Sequence, residues 1–107
     1  MGPAVSDIVV LHTTMDAKSA DELLQRVEGA LASSPEALVL NLSAVAIIEP
    51  FALVTFLRTI ADAQARSRLV VITGQPHIRA LLLGAKEFGA ARLVSTRPAA
   101  MRALKIS

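Results

Sequence analysis

Cysteine, tryptophan and tyrosine are missing from this 107-residue sequence, and phenylalanine occurs only three times. Without cysteine there can be neither a disulfide framework nor a thiolate metal site. The absence fits a reducing compartment, and the expected localisation is cytoplasmic. A strong charge of one sign is lacking too. Eleven basic residues stand against nine acidic ones, for a net charge of +2, and the basic residues are scattered rather than run together. So small an excess does not describe a nucleic-acid binder, even at a pI near 9.7. No apolar run approaches the roughly 20 residues that cross a bilayer, so no direct membrane insertion is expected. The opening M-G-P-A-V-S-D has no basic region leading into an apolar one, as a signal peptide would. Its Met-Gly start with Ser6 superficially fits a myristoylation pattern, but motifs this short match by chance.

What is present is aliphatic. Apolar residues make up 53% of the chain with only 3% aromatic, so the core must be built from Leu, Val, Ile and Ala. The length suits a single domain, here residues 1–107, large enough to bury that core without staples.

Along the chain, Ile8–Leu11 is a short continuous apolar run that reads as a strand buried on both faces. Ser19 with Glu22 has capping-box spacing, and Ala20, Leu23, Leu24, Val27 and Leu31 follow at helical intervals until Ser33-Ser34-Pro35. Ala37–Leu42 is a second strand, which Val45–Ile48 extends beyond a kink. A second helix begins at Pro50, whose missing N–H costs nothing at the first helical position, with Glu49 as N-cap. Its expected buried stripe is Leu53, Phe56, Leu57, Ile60 and Gln64. Leu69–Thr73 reads as a third strand. Pro76 opens a third helix carrying Ile78, Leu81, Leu82, Ala85 and Phe88, with Gly84 inside and Gly89 as C-cap. Leu93-Val94 is a short last strand, and Thr96 caps a helix holding Ala100, Met101 and Leu104. Strands alternating with helices predict an α/β fold with a four- or five-stranded, mostly parallel or mixed sheet and about four helices.

Chemistry is hard to find. His12 and His77 are the only histidines, neither with a second ligand at metal-site spacing. His12 reads as a hydrogen-bonded strand-boundary residue and His77 as an exposed residue of a first helical turn. No glycine-rich phosphate loop is present, and Thr13-Thr14 and Ser95-Thr96 are explained by turns and caps. Asn41-Leu42-Ser43 matches a glycosylation pattern, but on a strand expected to be buried. The sequence therefore predicts no enzyme, no metal and no cofactor. A well-patterned core without convergent polar groups points to work done through the surface. Phe51 stands out in that light. It shares a stripe with Thr55, Arg58 and Asp62 opposite the expected buried face, unless its ring folds back on Val54 or Val45–Ile48 as a staple.

The stretch A-L-V-L-N-L-S-A-V-A-I-I-E-P-F-A-L, residues 37–53, resembles the central signature of STAS domains, the family of bacterial anti-sigma factor antagonists. That signature is an apolar strand, Asp-Leu-Ser, a short apolar segment, and Asp-Ser-Ser-Gly opening a helix. T-M-D-A-K-S-A-D-E-L, L-V-V-I-T-G with I-R-A-L-L, and F-G-A-A-R-L-V extend the likeness over roughly Ile8–Leu104. The family's first strand is expected to be missing here or confined to Pro3–Ser6. The resemblance implies a protein-binding regulator whose second serine in Asp-Ser-Ser-Gly is phosphorylated by an anti-sigma factor that is also a kinase.

The departures fall on that switch. Glu49 stands for Asp, Pro50 for the first Ser, Phe51 for the phosphoacceptor and Ala52 for Gly, while Asn41 replaces the Asp of Asp-Leu-Ser. Phe51 cannot take a phosphate. The resemblance then implies a partner, an anti-sigma factor of the kinase type or a related regulator, contacted by Glu49, Pro50, Phe51, Val54, Thr55 and Arg58. A homodimer is compatible with it. The alternative within the family is a cytoplasmic STAS accessory subunit of a membrane lipid transporter. A receiver-like fold is the second architecture, but it wants an acidic cluster at the strand ends, where this chain offers Asn41 and then Glu49.

Overall fold

In the computed structural model, which describes residues 4–106, the apolar runs at Ala37–Leu42, Leu69–Thr73 and Leu93-Val94 fall on strands of one sheet. β1 (Val5–Val9), β3 (Ala37–Asn41), β5 (Arg68–Ile72) and β6 (Arg92–Val94) pair in the order β1-β3-β5-β6, every pair parallel. Two further strands, β2 (Thr14–Met15) and β4 (Ile47–Ile48), form a separate two-residue parallel ribbon. Successive strands of the main sheet are joined by α1 (Ala17–Leu31), α2 (Pro50–Arg66) and α3 (Pro76–Gly84), and α4 (Arg97–Ile106) follows β6. The result is the α/β fold the alternation predicts, with four helices.

The strand order advances in one direction only, and right-handed crossovers then place every connecting helix on the same face. The core bears this out. Leu38, Leu40 and Val71 pack with Leu23, Val27, Phe56, Ile60, Ile78 and Leu82 from α1, α2 and α3. On the opposite face Val39, Val70 and Ile72 meet Ala100 of α4, flanked by Met101 and Leu104. With both faces covered, adjacent residues of β3 and β5 all need to be apolar, which is why the runs are continuous. An order that never reverses also has no switch point, so the ligand crevice of doubly wound sheets does not form at the strands' carboxyl ends.

Several local expectations are corrected. The first strand is Val5–Val9 rather than Ile8–Leu11, and Leu11 lies beyond it, exposed. The family strand placed at Pro3–Ser6 falls partly outside the described residues, while Val5 and Ser6 belong to β1 itself. The cap of α1 lies three residues before Ser19, and the helix itself begins at Ala17. Asp16 is the N-cap, and Ser19 is its partner, donating both its N–H and its Oγ–H to Asp16 Oδ1 at 2.8 Å. Val45–Ile48 does not extend β3; Ile47 and Ile48 turn away to pair with Thr14 and Met15. α3 is short: Gly84 is its last residue, Ala85 is extended, and Phe88 is buried from a separate 3-10 turn, Lys86–Phe88.

Gly89 closes that turn at φ +53°, and a Cβ there would meet the Gln64 side chain at 2.5 Å. Gln64 Oε1 in turn accepts the Ala90 N–H. Gly89→Ala would strain a positive-φ backbone and push aside the flexible Gln64 side chain that accepts from Ala90, and about 1–3 kcal/mol of destabilisation, mostly from the backbone, is expected in denaturant titration.

The buried face of α2 is also rotated from its expected position. Ala52, Phe56, Thr59, Ile60 and Ala63 are buried, whereas Leu53, Leu57 and Gln64 are half-buried at its margin. Thr59 is fully buried because its hydroxyl donates to the Thr55 carbonyl at 2.8 Å, so the helix satisfies its own polar group.

Candidate functional site

The start of α2 is built on a loop with little freedom. After β3, Asn41 Oδ1 accepts the Ser43 N–H at 3.0 Å and the Ser43 hydroxyl at 2.6 Å, closing an Asx turn. An amide oxygen serves here as a carboxylate would, so Asn41 can replace the signature's aspartate. Val45 is fully buried and its N–H donates to the Leu42 carbonyl. The N–H groups of Ala46 and Ile47 both donate to the Thr13 carbonyl, and that of Glu49 donates to Met15 at 2.9 Å. From α3, His77 Nε2 donates to the Ala46 carbonyl across 31 residues of sequence. Glu49 is extended (φ −69°, ψ 150°) and caps α2, with Pro50 in its first turn. Its carboxylate makes no capping hydrogen bond.

His77 is thus exposed, as expected, but it holds the site's loop in place. His77→Ala should speed amide hydrogen exchange at Ala46–Ile48 while leaving the melting temperature almost unchanged.

On this platform Phe51 is 89% exposed and Val54 78% exposed. The ring is therefore not stapled to the loop. Ile47 is 54% exposed, and Leu11, two residues before the Thr13 that anchors the loop, is 79% exposed. Arg58 is exposed one turn after Val54, and Glu49 and Pro50 are exposed before Phe51. Thr55 and Asp62, expected on the same outer stripe, are only half-buried flanks, because the outer face centres on Val54 and Arg58. Ile47 and Leu11 were not singled out in the sequence. Their exposure follows from the β2–β4 ribbon, whose two-residue strands leave no periodic signal to read. Full burial of a Phe side chain is worth about 1.5–3 kcal/mol, a stabilisation the folded chain leaves unrealised at Phe51.

Asp16 stands beside Glu49, because the carbonyl of the preceding Met15 accepts the Glu49 N–H. The Ser19 N–H and hydroxyl hold the Asp16 carboxyl below the usual carboxylate range. A depressed folded value means the group stabilises the fold above its unfolded pKa, about 3.9, and loses that effect as pH falls through the folded value. Asp16→Ala should therefore be less stable than the parent near neutrality. In denaturation followed against pH, the two should converge on acidification below about pH 4.

The rest of the surface offers less. His12 is exposed, with Nε2 3.7 Å from a Glu22 oxygen. Among the described residues no group of three or more His, Asp or Glu could hold a metal, and no helix is long and apolar enough to cross a membrane. A cleft of about 280 Å³, lined by Gln64, Ser67, Arg68, Arg92 and Ala103, lies at the strands' amino ends, away from α2's start.

Comparison with known proteins agrees with this architecture. The STAS domain matches residues 4–103, and the chain belongs to the STAS domain family. The crystal structure of an anti-sigma factor antagonist from Mycobacterium paratuberculosis is similar at a TM-score of 0.76 and 25% sequence identity, over 95% of this chain and 86% of that one. No curated protein matches the chain in sequence.

Proposed function

We propose that this STAS domain is a regulatory protein-binding module that acts on an anti-sigma factor through the start of α2. Glu49, Pro50, Phe51, Val54 and Arg58 form the contact, with Thr55 at its margin. The observation that carries the reading is Phe51, a large apolar ring held almost fully in solvent in the first turn of α2. Single exposed apolar residues are ordinary, but Phe51, Val54 and Ile47 are exposed together. The similarity to an anti-sigma factor antagonist supports the class of partner.

Residue 51 carries no hydroxyl, so the module binds without a phosphate switch at this position. Thr55, a turn further on, cannot substitute for it: its N–H lies inside the helix, where amides are already bonded to carbonyls and cannot cradle a phosphate. Calorimetric titration with the purified anti-sigma factors of the source organism tests the binding; no heat with any of them contradicts the reading. For the kinase-type members, incubation with ATP should leave the mass of the Glu49–Thr55 segment unchanged. A phosphate on that segment would show that the switch has moved rather than vanished.

A further inference from the structure

On its α1 side, the apolar surface at the start of α2 is bordered mainly by negative charge. α1 and α2 both begin at the carboxyl ends of parallel strands, and their N-caps, Asp16 and Glu49, are neighbours through the Met15–Glu49 hydrogen bond. Asp21 and Glu22 are exposed in the first turns of α1, and the one fixed cation among them is Lys18. Four carboxylates and one lysine thus occupy this corner. The rest of the chain has five carboxylates and ten basic residues. Arg58 is the cation on α2's outer face, beyond Val54. The other guanidinium groups along this edge are engaged elsewhere: Arg26 with the Val9 carbonyl, Arg79 with the Thr73 carbonyl and Ser95 hydroxyl, and Arg97 with Asp7.

Carboxylates at helix N-termini often serve only their own helix. Asp16 does so, through Ser19. Glu49 does not: it makes no capping hydrogen bond and has no ion pair among the described residues. A Glu that neither caps nor pairs, next to an 89% exposed Phe51, is placed to meet a cation on whatever covers the ring.

Building on the contact surface proposed above, we infer that its partner presents an amphipathic segment with an apolar stripe for Ile47, Phe51 and Val54 and with Lys or Arg beside it for Glu49 and the α1 carboxylates. Charge complementarity of this kind sets on-rate and register more than it adds affinity, so binding should weaken as salt rises.

Two synthetic amphipathic helical peptides with the same leucine stripe make the test, one with lysines on its polar face and the other with glutamates. They are titrated into the isotope-labelled full chain with amide shifts recorded. The lysine peptide should perturb Ile47, Glu49, Phe51 and Val54 and bind at least about tenfold more tightly than the glutamate peptide. Glu49→Lys should erase most of that preference, while the cation it places at a helix N-terminus lowers the melting temperature only modestly. Equal binding of both peptides at these residues would overturn the inferred partner charge and leave the contact surface standing. Shifts elsewhere, or no binding by either peptide, would overturn the inference as well, and loss of anti-sigma factor binding is read separately in the calorimetric titration.

Discussion

Phe56→Ala should destabilise the fold by about 3–5 kcal/mol, read as a lower denaturation midpoint at unchanged slope. The ring is fully buried where α1, α2 and the sheet meet. Its removal loses the transfer free energy of the ring and leaves a cavity between rigid elements that collapse only partly. Leu57, the next residue, is half-buried, and Leu57→Ala should cost clearly less. A larger loss at Leu57 than at Phe56 would place the helix in the rotation its sequence pattern suggested, not the one observed.

Phe51→Ala should do the reverse. The ring contributes almost nothing to the folded chain, so the melting temperature should stay within about a degree of the parent, since a change of about 1 kcal/mol moves it by roughly 4–8 °C at this size. Binding to the proposed anti-sigma partner should weaken about thirtyfold, the equivalent of about 2 kcal/mol, because central aromatic anchors commonly cost that much on truncation while rim residues cost far less. Phe51→Ser does not rebuild the family's signature, since Pro50 and Ala52 still depart from it. That variant should bind as weakly as Phe51→Ala and accept phosphate slowly or not at all.

Much of the architecture was readable in the sequence because each layer leaves its own period. Continuous apolar runs marked β3 and β5, which are covered on both faces, though the Ile8–Leu11 run lies on the partly exposed edge strand β1 and beyond it. Pro50 and Pro76 fixed two helix starts to the residue. Thr96 caps α4 as expected, accepting the Ala99 N–H at 3.2 Å. Most of the misses trace to contacts distant along the chain. Periodicity gave α2 an apolar stripe but could not see that helix contact favours the small Ala52 and Ala63, or that Thr59 satisfies its own hydroxyl. A ribbon joining residues 14–15 to 47–48 is too short for any pattern, so Ile47 appeared as more strand rather than as exposed surface. Of the candidate site, Phe51 and Arg58 were placed outward correctly. The Thr55 flank and the His77 tether come only from the packed structure.

The central claim is that the start of α2 is where this STAS domain meets its partner, and amide shift mapping of the full chain against the anti-sigma factor proposed to bind it tests it most directly. The account predicts shifts concentrated at Ile47–Arg58 and the adjoining Leu11–Asp16 segment, with α4 and the Arg68–Arg92 cleft undisturbed. Shifts centred on α4 or that cleft, with the Phe51 and Val54 amides unmoved, would contradict it.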